Sequence, residues 1–195
     1  MSSLDGLGLR TRWIYEVLLT TFVGGAPHAA PFGVWTDDGT TLQLDAYEGS
    51  RTLGAILGGG DFVANFPDGV TTLARAASGR GDLDFRQAER VAAPCLTTAA
   101  AVVELTLLHQ APGAGRTRIT AAVAHVRMDA APRLINRAKG LLLESLIMAS
   151  RRRHHDTAVI AAALEENRRV VRKVAPGSSY ALAMDALLRD AGIHS

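Results

Sequence analysis

From Trp13 to Val126 the apolar positions follow a strand-like pattern, and after Pro132 they switch to a helical one. "RWIYEVLLTTFV" is rich in β-branched and aromatic residues. The turn "GGAP" leads into "HAAPFGVWT", and "DDG" turns the chain again into "TTLQLDAYE". There Leu42, Leu44 and Ala46 alternate with polar neighbours, as in a half-buried strand. "DFVANF" reads as a short buried strand. "AAAVVELTLLHQ" and "RTRITAAVAHVRM" read as two long strands joined by "APGAG", a hairpin signal. Short strands joined by Gly/Pro turns predict a closed barrel or a sandwich.

In "LINRAKGLLLESLIMASRRR", Leu134, Ala138, Leu141, Leu142, Ser145 and Met148-Ala149 recur at helical spacing. "DTAVIAAALEENRRVVRKV" predicts a second helix with Asp156 at its N-cap. "SSYALAMDALLRDAG" predicts a third, closed by Gly192. The expected class is α+β, with a β-rich domain over 1–132 and a helical region over 133–195 packed on it.

Composition narrows the setting more than the chemistry. The chain has 195 residues, 48% hydrophobic and 21% charged, enough for one sizeable core with an appendage. Its single cysteine, Cys95, rules out an internal disulfide framework and fits a reducing compartment. "MSSLDGLGLRTRW" lacks the apolar core of a signal peptide, and no apolar run reaches the roughly 18 residues of a membrane span. The chain therefore reads as cytoplasmic. Net charge is +2, but Arg133 onward carries 11 Lys/Arg against 6 Asp/Glu. That asymmetry keeps nucleic acid open as a partner through "RRRHH" and "RRVVRK", although no aromatics interleave with those arginines.

Standard catalytic signatures are missing. There is no dinucleotide fingerprint, P-loop, zinc-protease helix or nucleophile elbow. "HHD", His154 to Asp156, stands without a second His or Cys cluster and reads as a solvated helix start, so no metal is expected. Cys95 beside Pro94 reads as a small buried apolar residue. Two stretches are more informative. In "GSRT", Ser50 and Thr52 offer hydroxyls and Arg51 a fork of donors, a set suited to a phosphate. The same residues also read simply as a helix capped by Ser50 with Arg51 exposed. In "APFGVW", Pro31 removes a ladder donor next to Gly33, which marks an edge or an interrupted pairing that a flat ligand could approach. "GGG", Gly58 to Gly60, reads as a helix stop.

The order of these motifs carries a resemblance. "EVLLTTF", "HAAPFGVW", "YEGSRTL", "FVANF" and "INRAKGLLLESLIMASRRR" follow one another from Glu16 to about Lys173. In this order they resemble the flavin-reductase-like, FMN-binding split-barrel superfamily. Within it the chain is most similar to the uncharacterised domain-of-unknown-function family 447. The resemblance implies a split β-barrel with a C-terminal helical region that binds FMN. It places the FMN phosphate at Ser50 and Thr52, with Arg51 as charge partner. It sets the flavin ring beside Ala30, Pro31, Phe32 and Gly33, the ribityl chain near Tyr47, and Asn65 close by. It implies a homodimer with flavin at the interface, where His28, Asn136, Arg137 and Glu144 are the interface or substrate-side candidates. The chain departs from the family pattern at His28, where an asparagine is expected, and is shorter between Asn65 and Ala99.

The implied activity is that of a flavin-dependent oxidoreductase. Family context adds one-carbon or pterin-cofactor metabolism. A non-catalytic flavin carrier or sensor, and a dimeric nucleic-acid-binding module, stay open beside it. So does a deazaflavin in place of FMN.

Overall fold

The computed structural model describes residues 4–79, 82–151 and 157–191. Among them the chain forms two units: Met1–Thr11 with Tyr15–Ile135, and Arg12–Ile14 with Asn136–Ser195.

In the first unit the period-2 stretches become the strands β1 (Tyr15–Val23), β2 (Ala26–Trp35), β3 (Thr41–Tyr47), β4 (Phe62–Phe66), β7 (Ala101–Pro112) and β8 (Arg116–Met128). They close into an antiparallel barrel in the order β1-β2-β3-β8-β7-β4. Alternate residues fill its interior. Val17 and Leu19, Leu42 and Leu44, Val103 and Leu105, and Ile119 and Ala121 share one core with Phe62 and Phe66. The turns take the conformations that their residues allow. Gly24 and Gly25, both at positive φ, join β1 to β2. Asp38 accepts the N–H groups of Thr40 and Thr41 at 2.8 Å before β3.

Helix α1 (Arg51–Leu57) adds Leu53 and Ile56 to the barrel core. Ser50 caps it, its Oγ accepting the N–H of Leu53 at 3.3 Å. The triple glycine ends it as a Schellman turn: Gly59 N–H reaches Ile56 O, and Gly60 N–H reaches Ala55 O. Gly59 has φ +87°, and a Cβ on Gly60 would lie 2.8 Å from Ala55 O. Both positions require glycine for structural reasons.

β1 and β4 are buried on both faces, which explains their unbroken apolar character. Their outward residues Leu18 and Val63 pack under a ribbon of β5 (Phe85–Gln87) and β6 (Pro94–Leu96). Cys95 is buried there, and the same environment raises its thiol pKa. Helix α2 (Val70–Ser78) and this ribbon occupy the stretch between Asn65 and Ala99, where the hydrophobic pattern predicts no element.

The second unit packs α3 (Ala138–Ser150), α4 (Thr157–Val174) and α5 (Ser179–Asp190) around Leu164, Val171, Val174 and Met184. Trp13 and Ile14 belong to it rather than to a strand: Trp13 lies 6.0 Å from the Tyr180 ring, and Ile14 N–H reaches Val174 O at 2.9 Å. Leu134 precedes α3 and packs with the barrel core instead. Ser178 caps α5. The expected cap Asp156, the closing Gly192 and the pair His154-His155 lie outside the described residues. No helix among the described residues is long and apolar enough to cross a membrane.

Candidate functional site

The barrel is interrupted between β2 and β3, beyond Val34. β2 pairs with β1 along its whole length, from Ala26 to Val34. Towards β3 it pairs only at Val34↔Leu44 and Trp35↔Gln43. Beyond that the two strands part, which leaves the β3-facing edge of Ala26–Gly33 without a ladder partner. Proline cannot donate there and glycine has no side chain to fill the space, so the sequence itself opens the split.

β1 pairing fixes which side chains face inward. Phe32, opposite Val17, packs its ring against the barrel core. Pro31 and Gly33 lie on the other face. With its ring in the core, Phe32 presents only its main chain to the open edge. On the far side of the split, β3 ends at Tyr47, which is 61% exposed. Its hydroxyl accepts from Arg116, whose guanidinium lies 4.3 Å from the centre of its ring.

Tyr47 leads through Gly49, at φ +75°, into the corner of Ser50, Arg51 and Thr52. The corner is tied to β2 by one contact: His28 Nε2 lies 3.2 Å from Thr52 Oγ1. Thr52 is buried, so its hydroxyl is engaged with His28 rather than open to solvent. Burial, and then the Arg51 charge, lower the His28 pKa. Beside this contact is a cavity of about 600 Å³, lined by β2 at Pro27 to Ala29, by Arg51, by Arg75 of α2 and by the segment from Asp82 to Phe85. Neither the Arg51 nor the Arg75 guanidinium has an ion-pair or hydrogen-bond partner among the described residues. Arg75 has no signal in the sequence. It reaches the corner only because α2 packs against β2.

Two sequence-predicted site residues prove to be braces. Asn65 is fully buried. Its Nδ2 donates to Leu18 O and Thr20 Oγ1, both at 2.9 Å, and its Oδ1 accepts Leu96 N–H at 2.8 Å. It stitches β4 to β1 and β6 and has no free group for a ligand. Asn136 does the same in the helical unit, donating to Ile14 O and Val174 O and accepting from Ala138 N–H. Arg137 and Glu144 are exposed, at the head of α3 and on its surface.

The three arginines of α4 are paired with carboxylates. Arg168 pairs with Glu165, Arg169 with Glu166 and Arg172 with Asp185. A hollow along α4 is lined by these same groups and offers no further chemistry.

A six-stranded antiparallel barrel, opened between two of its strands, is a split barrel. The chain belongs to the DUF447 family, "protein of unknown function", whose N-terminal domain matches residues 15–130. Solved structures agree on the fold. The FMN-bound DUF447 protein of Methanosarcina mazei is 19% identical, covering 96% of this chain and 99% of that one, with a TM-score of 0.55. The NADH:FAD oxidoreductase SgcE6 of Streptomyces globisporus C-1027 is 15% identical, covering 63% and 75%, with a TM-score of 0.53. Flavoredoxin from Methanosarcina acetivorans is 14% identical, covering 66% and 83%, with a TM-score of 0.54. No curated protein matches the chain.

Proposed function

We propose that this chain binds FMN in the barrel split and serves as a flavin-dependent oxidoreductase, assembled as a homodimer with flavin at the interface. One observation carries the reading. The unpaired edge of β2 ends beside a corner where two partnerless guanidinium groups face one cavity. An open strand edge suits a flat polar ring, and partnerless arginines suit a phosphate.

The flavin ring lies against Ala30, Pro31 and Gly33, with the ribityl chain passing Tyr47. The phosphate is held by Arg51, Arg75 and the Ser50 hydroxyl, whose proton is free while its oxygen caps α1. Thr52 acts through His28, fixing the imidazole at the rim of the cavity. Asn65 is excluded from the ligand shell by its own hydrogen bonds. The names of the neighbours support a flavin: one is FMN-bound and another acts on NADH and FAD.

FMN supplies the hydride and electron transfer when bound. The chain's own task is then to bind, orient and shield, which fits a site with no paired acid and base.

Titrating the full chain with FMN and following flavin fluorescence tests the proposal. Saturable quenching that Arg51→Ala weakens by about 10- to 100-fold, the loss of one charge-assisted hydrogen bond, is expected. A protein that leaves FMN fluorescence unchanged refutes it. Reoxidation of the bound, reduced flavin by small acceptors then separates an enzyme from a carrier.

A further inference from the structure

Resting on the reading of the cavity as the flavin phosphate site, we propose that Asp82 and Asp84 make it selective for a flavin ending in a phosphomonoester, against one whose phosphate continues into a pyrophosphate. The charges that line the cavity come from separate elements. The cations, Arg51 and Arg75, come from α1 and α2. The anions, Asp82 and Asp84, come from the segment leading into β5. Both carboxylates are exposed, and neither has an ion-pair partner among the described residues.

A terminal phosphate carries close to two negative charges on one group, a charge that two arginines lining one cavity match. A dinucleotide spreads its charge over two phosphates. It carries the second phosphate and the adenylate onward, into the space that Asp82 and Asp84 border. Size does not exclude that extension, because a cavity of about 600 Å³ is within the range that takes drug-sized ligands. Like-charge repulsion does. Discrimination through a repulsive element in a roomy site is a recurrent solution to specificity.

The test uses the full chain with three probes, riboflavin, FMN and FAD, each titrated at low salt. FMN is expected to bind about 10-fold or more tightly than FAD, the size of a like-charge contact near a protein surface. Asp82→Asn combined with Asp84→Asn should raise FAD affinity and shrink the FMN/FAD ratio by about the same factor. Added salt should narrow the ratio in the unaltered protein, since it screens exposed charges. Both side chains are exposed, and an unchanged melting temperature confirms that the variant folds. Equal affinity for FMN and FAD in the unaltered protein overturns the proposal. So does a ratio that the double variant leaves unchanged. FMN binding no tighter than riboflavin is a different failure, because it removes the phosphate site itself.

Discussion

Replacing Asn65 with alanine separates its two readings, brace and ligand contact. The side chain makes three short hydrogen bonds inside a fully buried setting: 2.9 Å to Leu18 O, 2.9 Å to Thr20 Oγ1 and 2.8 Å from Leu96 N–H. Alanine leaves Leu96 N–H buried with no acceptor, and strips a donor from Leu18 O, Thr20 Oγ1 and Val63 O. A stranded buried partner costs about 1–3 kcal/mol, and the lost hydrogen bonds add about 0.5–1.5 kcal/mol each. Since Thr20 Oγ1 still donates to Pro94 O, the sum should be about 3–4 kcal/mol. That is a large share of the roughly 5–15 kcal/mol that holds an ordinary domain folded. In urea, with a slope of about 2 kcal/mol/M, the midpoint should fall by roughly 1.5–2 M. Trp35 lies in the barrel and Trp13 in the helical unit, so a Trp13→Phe background isolates the barrel's fluorescence transition. FMN affinity, measured well below that transition, should stay within about 3-fold, as no ligand contact is lost. A midpoint shift below about 0.5 M with a large loss of FMN affinity would refute the reasoning and return Asn65 to the ligand shell.

Gly60→Ala should cost about 1–3 kcal/mol, because its Cβ would lie 2.8 Å from Ala55 O. Gly54→Ala, on the same helix with nothing within 4 Å, should instead gain about 0.5–1 kcal/mol. Paired thermal melts check the contrast. Glu104 is buried, and its carboxylate accepts the N–H groups of Glu89, Arg90 and Val91. Glu104→Gln sets an NH2 group against at least one of these donors, so hydrogen exchange at 89–91 should speed up and stability should fall by about 2–3 kcal/mol. The lowered His28 pKa predicts two opposite pH effects. Without ligand, the folded protein resists protonating His28, so it should lose stability relative to His28→Asn as pH falls below about 6.5. With FMN, the phosphate favours the imidazolium, so wild-type affinity should gain over His28→Asn across the same fall in pH, as parallel titrations would show.

The parts of the molecule legible in the sequence are those fixed by local chemistry. Alternation at Leu42, Leu44 and Ala46 marks β3 because one face of that strand meets the core. Ser50 and Gly58 to Gly60 bracket α1 because a cap and a left-handed stop need those residue types. Pro31 signals an interrupted ladder, and it lies in the stretch of β2 that has no pairing towards β3. The missed parts lack such chemistry. β5 and β6 have three residues each, too short for any period. α2 begins at Gly69 without a side-chain cap and buries no residue fully. Arg75 joins Arg51 only through the packing of α2, which spacing along the chain does not encode. Trp13 and Ile14 look like the start of β1 because aromatic and β-branched residues suit strands, yet the tertiary partners Tyr180 and Val174 claim them. Asn65 illustrates the limit of motif reading: its position in "FVANF" is legible, but its hydrogen-bond partners lie on β1 and β6.

In the proposed complex the split between β2 and β3 holds FMN by its phosphate at the α1 corner. A crystal structure of the full chain soaked with FMN tests it most directly. Flavin density is expected along the unpaired edge of Ala30–Gly33, with phosphate oxygens within hydrogen-bond distance of Arg51 and Arg75. Flavin bound elsewhere, or a phosphate that neither arginine touches, would contradict it.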